Sequence, residues 1–159
     1  MSETTGDQLV FLLIGTFRRT IDDLHDWLSE HGFGEVRPIH GFALQAIGPG
    51  AISITELGHR LGVSKQAAAK TVKVLAASDL IVREAEPADA RATLIRRSDR
   101  GVALLRASAA FFAIRQRQWE DEIGEQRFHE LLRDLAVIGG ESAAGDFVGW
   151  LQSSSHRES

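Results

Sequence analysis

Between Ile54 and Leu75 the chain reads Ile-Thr-Glu-Leu-Gly-His-Arg-Leu-Gly-Val-Ser-Lys-Gln-Ala-Ala-Ala-Lys-Thr-Val-Lys-Val-Leu, a run that few folds can satisfy. Leu57, Leu61, Val63, Val72 and Leu75 are spaced to bury one side of two short helices in a shared core. Gly62 between them suits a left-handed turn, and Ser64 is placed to cap the second helix. With those positions turned inward, Lys65, Gln66, Ala68, Ala69, Lys70 and Lys73 are expected to face solvent. Small residues and a glutamine just after a helix cap let backbone approach a DNA major groove closely. Gln66 can pair with an adenine edge and the alanine methyls can touch thymine methyls, whereas Lys70 and Lys73 suit phosphates. The competing reading is an ordinary helical hairpin with lysines on its outer face.

The next segment supports the first reading. Ile81 to Arg83 and Thr93 to Arg97 read as two short strands, and the charged stretch Glu84–Ala92, with Pro87 and Asp89, as the loop between them. Such a hairpin beside a recognition helix is a wing. Arg91 near its tip is of a type that enters a narrow minor groove, and Asp89 can hold it in place. An exposed ion pair of little energetic consequence is the plainer account of those two residues. Arg83, at the end of the first strand, joins Ser64, Lys65, Gln66, Ala68, Lys70, Lys73, Asp89 and Arg91 as the candidate DNA-contacting set.

Charge distribution agrees although the total does not. The net charge is −4, but from His59 to Arg100 nine Lys/Arg stand against five Asp/Glu, a balance of +4. The remainder carries −8. A basic segment in an acidic body is the expected footprint of a nucleic-acid module.

Around this module the pattern is helical. Leu9, Leu13, Phe17, Ile21, Leu24 and Leu28 mark a first helix from about Asp7 to Glu30, broken by His31-Gly-Phe-Gly34. Pro38 opens a second, stopped near Ile47 by Gly48-Pro-Gly50. Ala51-Ile-Ser53 is extended, helices follow over Thr55–Leu61 and Ser64–Ser78, and Ser98 caps a long helix to about Glu122. Another covers Glu125–Ile138, a short one Ala143–Leu151, and residues 152–159 form a polar tail expected to be disordered. The expected fold is mainly α: a winged helix-turn-helix with a small β-wing, flanked by N- and C-terminal dimerisation helices. The expected parts are 1–36, an N-terminal dimerisation helix; 37–100, the DNA-binding module; and 101–151, C-terminal dimerisation helices.

These residues resemble the MarR (multiple antibiotic resistance regulator) family of winged-helix transcription factors. The resemblance rests on Ile54-Thr-Glu-Leu-Gly-His-Arg-Leu-Gly-Val-Ser64, Val74-Leu75 leading to Asp79-Leu-Ile-Val-Arg83, the wing Asp89-Ala-Arg91, and the helix start Ser98-Asp-Arg-Gly101. Two positions depart from the family pattern. Asp79 stands where glycine is usual, and Ala68 and Ala69 replace hydroxylic residues. The resemblance implies a homodimer that reads a palindromic site on double-stranded DNA, acts as a repressor, and is released by a small aromatic or phenolic effector. It also implies that the end helices interlock two chains. The wide apolar faces of the last helices, including Phe128, Leu131, Leu135, Phe147 and Trp150, fit that use.

Arg18 and His25, seven residues apart on the first helix, are the expected anchors for an effector's carboxylate or phenolate. Arg19 and His40 are alternates, with Phe17 and Phe42 as aromatic wall. The six histidines show no metal-ligand spacing, there is no glycine-rich phosphate loop, and there is no cysteine. An enzyme, a resident metal and a cofactor are therefore not expected. No apolar run approaches the roughly 18 residues of a membrane span, and a cytoplasmic location is expected. The other readings are a metal sensor using His25 and His31, or a winged helix that binds protein.

Overall fold

The computed structural model of the chain describes residues 6–140, and within the wing it describes the backbone but not the side chains of residues 90 and 91. In chain order the elements are α1 (Gln8–Leu28), a π-helical turn (Ser29–Phe33), α2 (Pro38–Ile47), β1 (Ile52–Ser53), α3 (Ile54–Leu61) and α4 (Lys65–Ala77). Then follow β2 (Ile81–Glu86), β3 (Asp89–Arg97), α5 (Asp99–Ile123) and α6 (Glu125–Gly139). The expected short helix over Ala143–Leu151 and the tail lie outside the described residues, as do Phe147 and Trp150.

The strands make one antiparallel sheet in the order β1-β3-β2. Ile52 pairs with Ile95, and Ile81 with Arg97, so the apolar ends of three strands converge on the helices. The core joins Leu24 and Leu28 of α1, Ala43, Leu44 and Ile47 of α2, Leu57 and Leu61 of α3, and Ala68, Val72 and Leu75 of α4. Val36 and Leu80 from connecting segments, Ile52, Ile81 and Ile95 of the three strands, and Leu104 and Phe111 of α5 complete it.

The wing differs from its expected form. Its strands run to Glu86 and from Asp89, leaving a turn of two residues where the sequence suggested a loop over Glu84–Ala92. Glu84 pairs with Leu94 and Ala85 with Thr93, and after a bulge at Ala85/Glu86 the pairing resumes at Glu86 with Asp89. The strands extend through backbone pairing, and Arg83, Glu84, Ala85 and Asp89 stay exposed. An alternation of apolar and polar residues is therefore not required, and none marks them in the sequence.

Glycine and aspartate set the two turns that aim α4. At the end of α3, Gly62 has φ 64°, its N–H donates to His59 O, and the N–H of Val63 donates to Gly58 O. The same pattern closes α4: the Asp79 N–H donates to Ala76 O and the Leu80 N–H to Leu75 O, with Asp79 at φ 56°. Asp79 is thus left-handed, a conformation an aspartate adopts only at some cost. Asp79→Gly is expected to raise stability by up to about 1 kcal/mol, or a few degrees in Tm, without altering the fold. A lower Tm would show that the aspartate side chain contributes more than its backbone costs.

Candidate nucleic-acid interface

The helix expected to read DNA is presented by two caps. Ser53 Oγ accepts from the Glu56 N–H at the start of α3, and Ser64 Oγ accepts from the Ala67 N–H at the start of α4, each at 3.1 Å. The back of α4 is fixed by Ala68, Val72 and Leu75, all fully buried. Lys65, Gln66, Lys70 and Lys73 lie exposed, Ala69 is half-buried, and Val74 is exposed beside them.

Ala68 is a correction. It was expected on the DNA-facing side but is buried against α3. A Cβ built at Gly58 would stand 3.6 Å from Ala68 Cβ and 3.1 Å from Val63 O, so two small residues are what let α3 and α4 approach. The signal was available: stepping back one turn from Val72 along the Val72–Leu75 stripe lands on Ala68.

Arg83 is exposed on β2. Asp89 is exposed as well and begins β3 rather than sitting in a loop. Arg91 lies on β3 as the third residue after the turn; its side chain is outside the described ones. Other basic residues of the +4 segment are already engaged. Arg60 Nη1 donates to Ala46 O (2.9 Å) and Ile47 O (3.3 Å), and its Nε pairs with Glu56. Arg97 Nε donates to Leu44 O (2.6 Å) and Nη2 to Gln45 O (3.2 Å). Arg100 donates to Gly32 O and lies over the Phe33 ring, and Arg96 faces Glu84 across the wing at 3.7 Å. The charge count therefore overstates what the segment offers a phosphate. Lys65, Lys70, Lys73 and Arg83 are exposed with their charges open to solvent.

The expected effector residues are not brought together. A cavity of about 300 Å³ lies between α1, α2 and α5, walled by Leu24, Leu28, Phe42, Leu104, Leu105 and Phe112. His25 and Phe42 line it; Arg18, Arg19, Phe17 and His40 do not. Arg18 is exposed on α1, and Phe17 is exposed on the same helix. Arg19 lines a separate cleft with Phe11, Thr16, Arg115 and Trp119. His40 is buried and lines a groove with Arg37, Ser78 and Arg100. Arg37, Gln45 and Ser108 supply the remaining polar wall of the 300 Å³ cavity and were missed from the sequence. Pro38, Gly41, Phe42 and Gln45 all line the cavity at helical spacing, a pattern that marks the inner face of α2 once its direction is known.

Burial holds both histidines below the usual imidazole range. For His25 the nearby Asp22 and Asp26 oppose that effect, whereas for His40 the Arg37 charge and then His25 add to it. The Arg37 N–H donates to His40 Nδ1 at 3.2 Å, so neutral His40 carries its proton on Nε2. His31 stacks on Trp27 with ring centroids 4.0 Å apart, and among the described residues no three His, Asp or Glu side chains gather as a metal site. Nor is any described helix long and apolar enough to cross a membrane.

Residues 37–92 match the MarR family model. No curated protein matches the chain by sequence. Several solved structures share its fold. Rv1404 from Mycobacterium tuberculosis superposes with a TM-score of 0.69 at 21% identity, over 89% of this chain and 99% of that one. FabT from Streptococcus pneumoniae, solved in complex with DNA, gives 0.69 at 14%, over 83% and 93%. The transcriptional repressor CouR, bound to a 23-mer DNA duplex, gives 0.63 at 21%, over 87% and 99%.

Proposed function

We infer that this chain is a DNA-binding transcriptional regulator of the MarR family, the family its residues 37–92 match and whose winged-helix fold it has. The observation that carries the reading is the outer face of α4. Lys65, Gln66, Lys70 and Lys73 stand in water on a helix capped by Ser64 and locked from behind, with the paired wing strands beside it. Such a helix can enter a major groove as a rigid body, the lysines meeting phosphates and Gln66 a base edge. FabT and CouR, which share the fold, were both solved on DNA.

The working unit is a homodimer. Leu9 to Ile14 on α1 and Leu131, Leu132, Val137 and Ile138 on α6 are all exposed in the single chain, Val137 at 86%. Apolar surface of that extent is costly in water and is what interlocking end helices bury. Two modules then read a palindromic operator about one helical turn apart. We take the protein to repress, as CouR does, and to be released by a small aromatic or phenolic effector. The cavity between α1, α2 and α5 has the volume and apolar wall for one ring system, with His25, Arg37, Gln45 and Ser108 for its polar groups. Arg37 replaces Arg18 as the cation for a carboxylate, because Arg37 lines that space.

The wing gives the sharpest single-residue test. Arg91→Ala is expected to weaken binding to a duplex from the protein's own upstream region by roughly tenfold, as for one good groove contact. Circular dichroism and sedimentation should match the parent. Equal affinity for DNA would remove Arg91 from the interface.

A further inference from the structure

We propose that Arg97 and Arg60 are positioning residues that tie the α1–α2–α5 cavity to the two DNA-reading elements through the last turn of α2. This rests on the reading of that cavity as the regulatory site.

A helix leaves its last four carbonyls without partners in the helix. In α2 these belong to Leu44, Gln45, Ala46 and Ile47; Gln45 O takes the Gly48 N–H at 3.1 Å, and all four also accept from guanidinium groups of other elements. Arg97, from wing strand β3, takes Leu44 O at 2.6 Å and Gln45 O at 3.2 Å. Arg60, from α3, takes Ala46 O at 2.9 Å and Ile47 O at 3.3 Å. These are charge-assisted bonds at the negative end of a helix dipole, stronger than neutral ones and directional.

The same turn forms part of the cavity wall. Phe42 and Gln45 line the cavity, and the Gln45 carbonyl accepts from the wing strand. Displacing Phe42 or Gln45 by an occupant therefore moves the carbonyls to which β3 and α3 are tied. Residues of α3 in turn meet α4 along the tight Gly58–Ala68 approach. One helical turn thus links the cavity to the wing by direct hydrogen bonds, and to the recognition helix by hydrogen bonds to α3 followed by the close packing of α3 on α4. A simple capping role would stabilise α2 equally but would not transmit its displacement.

Arginine-to-lysine replacement separates the two roles, because lysine keeps the charge at the helix end and loses the rigid fork. The test needs no effector. Ser108→Trp fills the cavity from α5 and serves as a tethered occupant, with Ser108→Phe as the smaller version should the first fail to fold. Each is made in the parent and in an Arg97→Lys/Arg60→Lys protein, and affinity for the upstream duplex is measured in full-length dimers. The filled parent is expected to lose about tenfold in DNA affinity, and the filled double-lysine protein less than about threefold relative to its own unfilled form. Equal losses in the two backgrounds would overturn the linking role while leaving the cavity regulatory. A filled parent that binds DNA like the unfilled one would overturn both, since nothing is then transmitted.

Discussion

Gly101→Ala is expected to destabilise the protein strongly, although alanine is the better helix former. A Cβ at this position in the first turn of α5 would stand 2.1 Å from Leu80 O and 3.2 Å from Leu44 Cδ2. The carbonyl cannot retreat cheaply. It accepts from the Ser98 N–H at 3.1 Å, while Ser98 Oγ donates to Asp79 O at 2.6 Å and accepts from the Gly101 N–H. That knot joins the turn after α4 to the start of α5, so relief of the clash must separate the two. Overpacking against side chains costs about 1–3 kcal/mol. Backbone offers less room to yield, and a loss of roughly 3 kcal/mol or more is expected, against a helix-propensity gain of at most about 1 kcal/mol. Urea unfolding measures it. A midpoint equal to the parent's would show that α5 and β2 are not held as closely as described.

Lys70→Ala combined with Lys73→Ala should leave stability almost unchanged, because both side chains are exposed and neither terminates a helix. DNA affinity should fall on the order of 100-fold, since the proposed homodimer would lose up to four phosphate contacts at once. The loss should be similar for specific and unrelated sequences, because phosphate contacts carry little sequence information. Gln66→Ala offers the contrast: a smaller loss, confined to the specific site. If the double lysine variant binds like the parent, the outer face of α4 is not the DNA-facing one.

Legibility in the sequence followed the physics of each element. The bounds of α2, α3 and α4 were readable because their ends are written in residues with one main use: Pro38, Gly48, Gly62 and Ser64. Ser98 marked α5 in the same way, and the left-handed Asp79 falls where the family resemblance implies glycine. The extended wing was not, since strands wet on both faces need no apolar rhythm. Ala68 was misplaced because alanine suits either side of a helix, and only its spacing from Val72 told which. Basic residues could be counted but not sorted: Lys70 and Arg97 look alike in a chain, yet Arg97 is committed to carbonyls some fifty residues away in α2. Cavity residues were the hardest to foresee. Arg18 and His25 share a helix, but what surrounds His25 depends on how α1 crosses α2 and α5, which periodicity within α1 does not contain.

Whether this chain reads DNA through the face of α4 and its wing is decided by titrating the purified protein against duplexes tiling its own upstream region at several salt concentrations. The expected result is one palindromic duplex bound in preference to the rest, with log affinity falling linearly with log salt at a slope of several units, and a slope reduced in the Lys70→Ala/Lys73→Ala protein. No binding at low salt to any duplex, or an affinity indifferent to salt, would contradict that reading.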